Sequence, residues 1–253
     1  MDLVLPIGLS EIGAGALVSV RIVAFLLIAP PFSSDSIPLQ IKGMLAVVLA
    51  VAITPVAAAH FGNPTTPAFV IDIVLEAVTG AALGFLVYLA FSAIQVAGSF
   101  LDFSGGLEAA QQYDPAADIT AAPFSRLFQM TALALLFATD GYQLVIAGLV
   151  RSFAAVPLAM QMNWSALAAT LSASVTQLIT AALEIAGPIM AVLFIANVAL
   201  GLLSRVAPAL NVYTLGPPAL VILAVMLGGV AIVALPAAVQ TLIDQAMHAM
   251  GVN

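Results

Sequence analysis

The stretch AFVIDIVLEAVTGAALGFLVYLAFSAIQVAGSFL, Ala68 to Leu101, decides how the rest of the chain is read. It carries only two charged side chains, Asp72 and Glu76. A surface helix of a soluble protein keeps one polar face, and this run has no such face to offer to water. A bilayer span needs about 20 residues, enough to cross a hydrocarbon core of about 30 Å. As one helix the run would reach about 50 Å. Either it projects beyond the bilayer or it breaks into a hairpin arm.

Five more apolar segments flank it, at about Ile12–Pro31, Ile37–Phe61, Phe124–Met160, Ala166–Leu203 and Leu215–Val239. The first, second and last have the length of a single span. Asp140-Gly141 divides the fourth, and Gly187-Pro188 falls inside the fifth. Irregular backbone at membrane depth is tolerated only where protein or a water-filled path surrounds it. The pattern predicts an all-α integral membrane protein of about six apolar segments, some broken into helical hairpins. It reads as a single membrane domain over 1–253. Met1-Asp2 lacks a basic start and Glu11 precedes the first apolar run. That run therefore reads as a permanent helix and not as a cleaved signal peptide.

Composition agrees. Apolar residues make up 63% of the 253 and charged residues 7%, against about 45–50% and 25% in soluble domains. Seventeen charged side chains cannot wet the surface of so long a chain. The five bases, Arg21, Lys42, Arg126, Arg151 and Arg205, lie far apart. Nucleic-acid binding has no electrostatic footprint here. Absence of cysteine excludes disulfides and thiolate chemistry. The two histidines, His60 and His248, stand alone, which makes neither a metal site nor a catalytic set. No cofactor and no enzymatic activity are expected.

Polar residues inside apolar runs are the informative ones, because a charge at the bilayer centre costs roughly 2.5–3.5 kcal/mol. Asp72 and Glu76 are four apart and share a helix face. They reach water near the start of their segment, serve a proton relay, or pair with Arg21, Arg151 or Arg205. Asp140 and Glu184 pose the same choice. Arg21 sits in the middle of the first apolar run and stays charged, so it needs a carboxylate, helix-end carbonyls or water. Gly80 and Gly84 have the GxxxG spacing that lets a second backbone approach, though so Gly-rich a chain also produces it by accident. One long stretch is not apolar: DFSGGLEAAQQYDPAADITAAP, Asp102 to Pro123, with four acids and no base. Gly105-Gly106 permits a sharp reversal and Pro115 forbids a continuous helix. It is a solvated loop or a movable element in a conduit.

Short motifs in a fixed order add a resemblance. They run Arg21-Ile22, Ala29-Pro30-Pro31-Phe32-Ser33, Ile37-Pro38, Lys42, Glu76, Gly80, Gly84-Phe85, Gly98, Leu101-Asp102, Gly106 and Asp114-Pro115. Phe137 to Gly141, Gly201-Leu202-Leu203, Arg205, Pro208, Leu210-Asn211-Val212 and Gly216 follow. In this the chain resembles the FliR family of flagellar biosynthetic proteins and its injectisome type III secretion relatives. Tyr142 stands where the family has histidine, and Ala207 and Ala209 flank Pro208 where it often has larger or polar residues.

The resemblance implies a fusion of FliP-like and FliQ-like units. It implies one copy in an export gate with FliP-like and FliQ-like partners and an FlhB-like protein at the cytoplasmic entrance. The place is the bacterial inner membrane, with part of the assembly above its plane, and the cargo is unfolded export substrate. The loop would be the pore plug, with Gly105, Gly106, Leu107, Tyr113, Asp114, Pro115 and Pro123 within it. Arg21, Lys42, Asp72, Glu76, Asp102, Asp140, Glu184, Arg205 and Asn211 are the expected polar residues of structure and assembly, and Gly80 and Gly84 the packing residues. The alternative is a proton-coupled secondary transporter or ion channel built on the intramembrane acids.

Overall fold

In the computed structural model, residues 9–34, 37–58, 65–107, 123–159, 163–207 and 212–251 are described. Among them are seven α-helices and no strand: α1 Leu9–Ile28, α2 Leu39–Ala57, α3 Thr66–Ser104, α4 Pro123–Ala138, α5 Gly141–Ala155, α6 Trp164–Val206 and α7 Val212–Ala249. Five of these are long and apolar enough to cross a membrane, or six spans if α4 and α5 count as one bent span.

The long run around Asp72 resolves in favour of projection. α3 is one helix of 39 residues, α6 has 43 and α7 has 38, lengths of about 57–65 Å. Among the described residues only the fourth segment breaks. Asp140 adopts the left-handed conformation there (φ 55°, ψ 18°) and α5 starts after it. Aspartate is one of the few residues with a side chain that enters this region readily. The fifth segment, by contrast, passes through Pro188 as continuous helix, contrary to the sequence expectation of a break. Gly187 before it has no Cβ to clash with the proline ring. In an apolar setting a helix end would also expose backbone groups that water cannot satisfy. Hydroxyls follow the same economy. Ser19, Thr54, Thr79, Thr170 and Thr180 each donate to the carbonyl four residues back in their own helix.

The chain gathers into two compact units. One comprises Met1–Leu89, Asp140–Ser174 and Ile243–Asn253; the other comprises Ala90–Thr139 and Val175–Leu242. In the first, α1 is central. Ala14, Leu17, Val18, Arg21, Ile22, Phe25, Leu26 and Ala29 are buried at helical spacing. In the second, Phe124, Phe128, Ala132 and Leu136 of α4 repeat every four residues on one buried face.

The outer surface is apolar. Val51 on α2 is 71% exposed, Phe194 on α6 68% and Val233 on α7 81%. Such faces are made for lipid or for other apolar protein.

Candidate functional site: two buried polar clusters

The first cluster lies in the unit centred on α1. Arg21 is wholly buried, at 0% exposure. Its Nε donates to Glu76 Oε2 of α3 at 2.5 Å. Its Nη1 donates to the Ser152 carbonyl of α5 at 3.3 Å. The guanidinium carbon stands 4.2 Å from the centre of the Phe153 ring, a cation–π distance. Nη2 has no hydrogen-bond partner among the described residues. Arginine cannot shed its charge, so the carboxylate and ring are what make this burial tolerable.

The helices reach this closeness through small residues. A Cβ on Gly80 would fall 2.1 Å from the Arg21 carbonyl oxygen, and one on Gly84 would fall 2.9 Å from that of Phe25. α3 therefore lies backbone to backbone on α1, and Glu76, one turn before Gly80, is delivered to Arg21. Asp72 and Lys42 are also buried, at 8% each.

The second cluster lies in the other unit, at the end of α3. Asp102 is 0% exposed. Its two carboxylate oxygens accept the backbone N–H groups of Phe124, at 3.0 Å, and Ser125, at 2.8 Å. These are orphan donors in the first turn of α4, and a carboxylate there also meets the positive end of the helix dipole. Pro123 starts the helix and has no N–H to satisfy. Ser99 Oγ donates to Ser125 Oγ at 3.2 Å.

α3 itself ends with Leu107 N–H on the Asp102 carbonyl (2.9 Å) and Gly106 N–H on that of Phe103 (3.2 Å). Gly106 is at φ 71°. This is the Schellman arrangement, whose left-handed position favours glycine. The Phe124 ring fills the space where a Cβ on Gly228 of α7 would be, 2.1 Å away, and a Cβ on Gly98 would fall 2.6–2.7 Å from the backbone of Phe124 and Ser125.

Other expected residues are not brought to either cluster. Asp140, Glu184 and Arg205 are exposed. Tyr113, Asp114, Pro115 and Asn211, with His60 and Pro208, lie outside the described residues. Ser152, Phe153, Ser99, Ser125 and Gly228 belong to the clusters and carry no mark in the sequence, because their partners arrive from distant helices. Among the described residues no group of three or more His, Cys, Asp or Glu side chains could hold a metal ion. An open cleft of about 430 Å³ between α6 and α7 is lined by Ala196, Ala199, Leu200, Leu203, Leu220 and Leu223 among others. Those aliphatic side chains offer no polar group to orient a substrate.

Long apolar helices, an apolar exterior and charges buried within protein define a multi-pass integral membrane protein. Residues 12–246 match the family described as Bacterial export proteins, family 1. The chain belongs to that family. It is 32% identical to the flagellar biosynthetic protein FliR of Escherichia coli K12 over 200 residues, 78% of this chain and 76% of that protein. It is 28% identical to the Bacillus subtilis protein of the same description, covering 80% and 79%. The Yop proteins translocation protein T of Yersinia pestis is 26% identical over 56% of each chain.

Proposed function

We propose that this chain is a pore-forming subunit of the flagellar or type III export gate, through which unfolded substrates cross the bacterial inner membrane. The carrying observation is the family match over residues 12–246, with relatives named for flagellar biosynthesis and for translocation. In this reading FliP-like and FliQ-like subunits cover the exposed apolar faces of α2, α6 and α7. An FlhB-like protein sits at the cytoplasmic entrance. No bond is made or broken; the work is opening and closing. The acidic stretch from Asp102 to Pro123 is the plug that keeps the resting pore from leaking ions.

The buried arginine supports a gate over a proton-coupled transporter. A relay needs several acids in line; of the three candidates Glu76 pairs with Arg21, Glu184 is exposed and Asp72 is buried one turn before Glu76. The test is deletion of Leu107 to Ala121, closed with a short glycine linker. We expect normal amounts of assembled complex and a raised ion conductance in cells. Normal assembly with no added leak would return the stretch to an ordinary connection.

A further inference from the structure

We propose that Asp102 is a positioning residue for the gate. It holds the end of α3 and the start of α4 together at one fixed point, both when the pore is closed and while substrate passes. The proposal rests on the plug reading for its leak readout but makes its own claim about the two helix ends.

Four observations on described residues carry it. The Asp102 carboxylate is fully buried and accepts two backbone N–H groups in the first turn of a helix that starts 21 positions later. The same residue's carbonyl closes the Schellman turn that ends α3. A hydroxyl pair, Ser99 and Ser125, ties the same two helices one turn further in. Packing then fixes the depth of α4. Gly98 and Gly228 leave room for Phe124 on two sides, and the Cβ of Ala224 lies 2.6 Å from where a Cβ on Gly105 would be.

A helix N-terminus can be capped by the residue just before it, as Asn163 Oδ1 does for Ala166 in α6. A local cap fixes only the helix it starts. Asp102 instead supplies the cap from the preceding helix, so one side chain sets both where the chain leaves the frame at Leu107 and where it returns at Pro123. The exit at Leu107 and the return at Pro123 are then fixed relative to each other.

The chain has no cysteine, so Ser99→Cys with Ser125→Cys gives a single engineered pair at a hydrogen-bonded position. Three arms are run in cells carrying the assembled complex, beside the Leu107–Ala121 deletion. First, Asp102→Ala should raise ion leak roughly 5–30-fold per assembled complex, as expected when a cap of about 1–2 kcal/mol is lost. Second, oxidising the cysteine pair in the Asp102→Ala background should return the leak to the native level. Third, oxidising the pair in the otherwise native chain should leave export running.

The proposal is overturned if Asp102→Ala is tight while the deletion leaks, if the cross-link fails to rescue, or if it stops export, since the helix ends would then have to part. A deletion that does not leak sinks the plug reading instead, and the third arm still decides whether the ends stay together. If Asp102→Ala does not assemble, that same arm carries the test.

Discussion

Arg21 and Glu76 form a buried ion pair, at 0% and 4% side-chain exposure. Removing one partner strands the other. We expect Arg21→Ala to cost about 3–5 kcal/mol, while Arg21→Leu with Glu76→Leu recovers most of that loss, as with other buried pairs exchanged for apolar side chains. Thermal denaturation of the purified complex measures both, and an Arg21→Ala loss under about 1 kcal/mol would contradict the account. The need for a partner is legible in the sequence, because an arginine in mid-helix cannot be neutral. Which partner is not: Asp72, Glu76, Asp140 and Glu184 all qualified by position. Ser152 and Phe153 carried no signal at all, since 131 positions separate Arg21 from Ser152.

At the scale of elements, Gly80 decides how α3 meets α1. A methyl group there collides with the Arg21 carbonyl, which is backbone and cannot step aside. Gly80→Ala should therefore cost about 1–3 kcal/mol, the usual penalty for overpacking. Gly43→Ala on α2, where nothing lies within 4 Å, should be neutral or gain up to about 1 kcal/mol from helix propensity. Equal melting temperatures for the two variants would show that the close approach contributes nothing.

Hydropathy located all the apolar segments. It did not tell breaks from continuities. Asp140 and Pro188 both looked like breakers, yet only Asp140 is one. A proline removes one hydrogen bond and crowds the preceding turn, yet α6 continues through Pro188. A left-handed residue turns the chain itself.

For the whole molecule, the decisive quantity is apolar surface left uncovered. Val206 on α6 and Val233 on α7 are 84% and 81% exposed, on helices roughly twice as long as a hydrocarbon core is thick. Lipid alone cannot cover all of that length. Expressed by itself the chain should be degraded or aggregate, and co-expression with FliP-like and FliQ-like proteins should give a stable particle holding one copy. A monodisperse, stable monomer would count against the gate. Arg205 belongs to the same test. Exposed at the end of α6, it should be dispensable for the stability of the chain. Arg205→Ala is expected to lower only the yield of the assembled particle, as seen by native electrophoresis.

The pairing of Arg21 also has a history in time. Glu76 is 55 residues further along the chain. At roughly 5–20 residues per second of synthesis, the guanidinium exists for about 3–11 s before its carboxylate has been made, and for about 7–26 s before the Ser152 carbonyl has. During that interval the first helix carries a bare charge in its middle, which costs roughly 2.5–3.5 kcal/mol at the bilayer centre. The newborn helix therefore waits near the aqueous boundary or against the insertion machinery, and sinks to its final depth only when the third helix arrives to claim it.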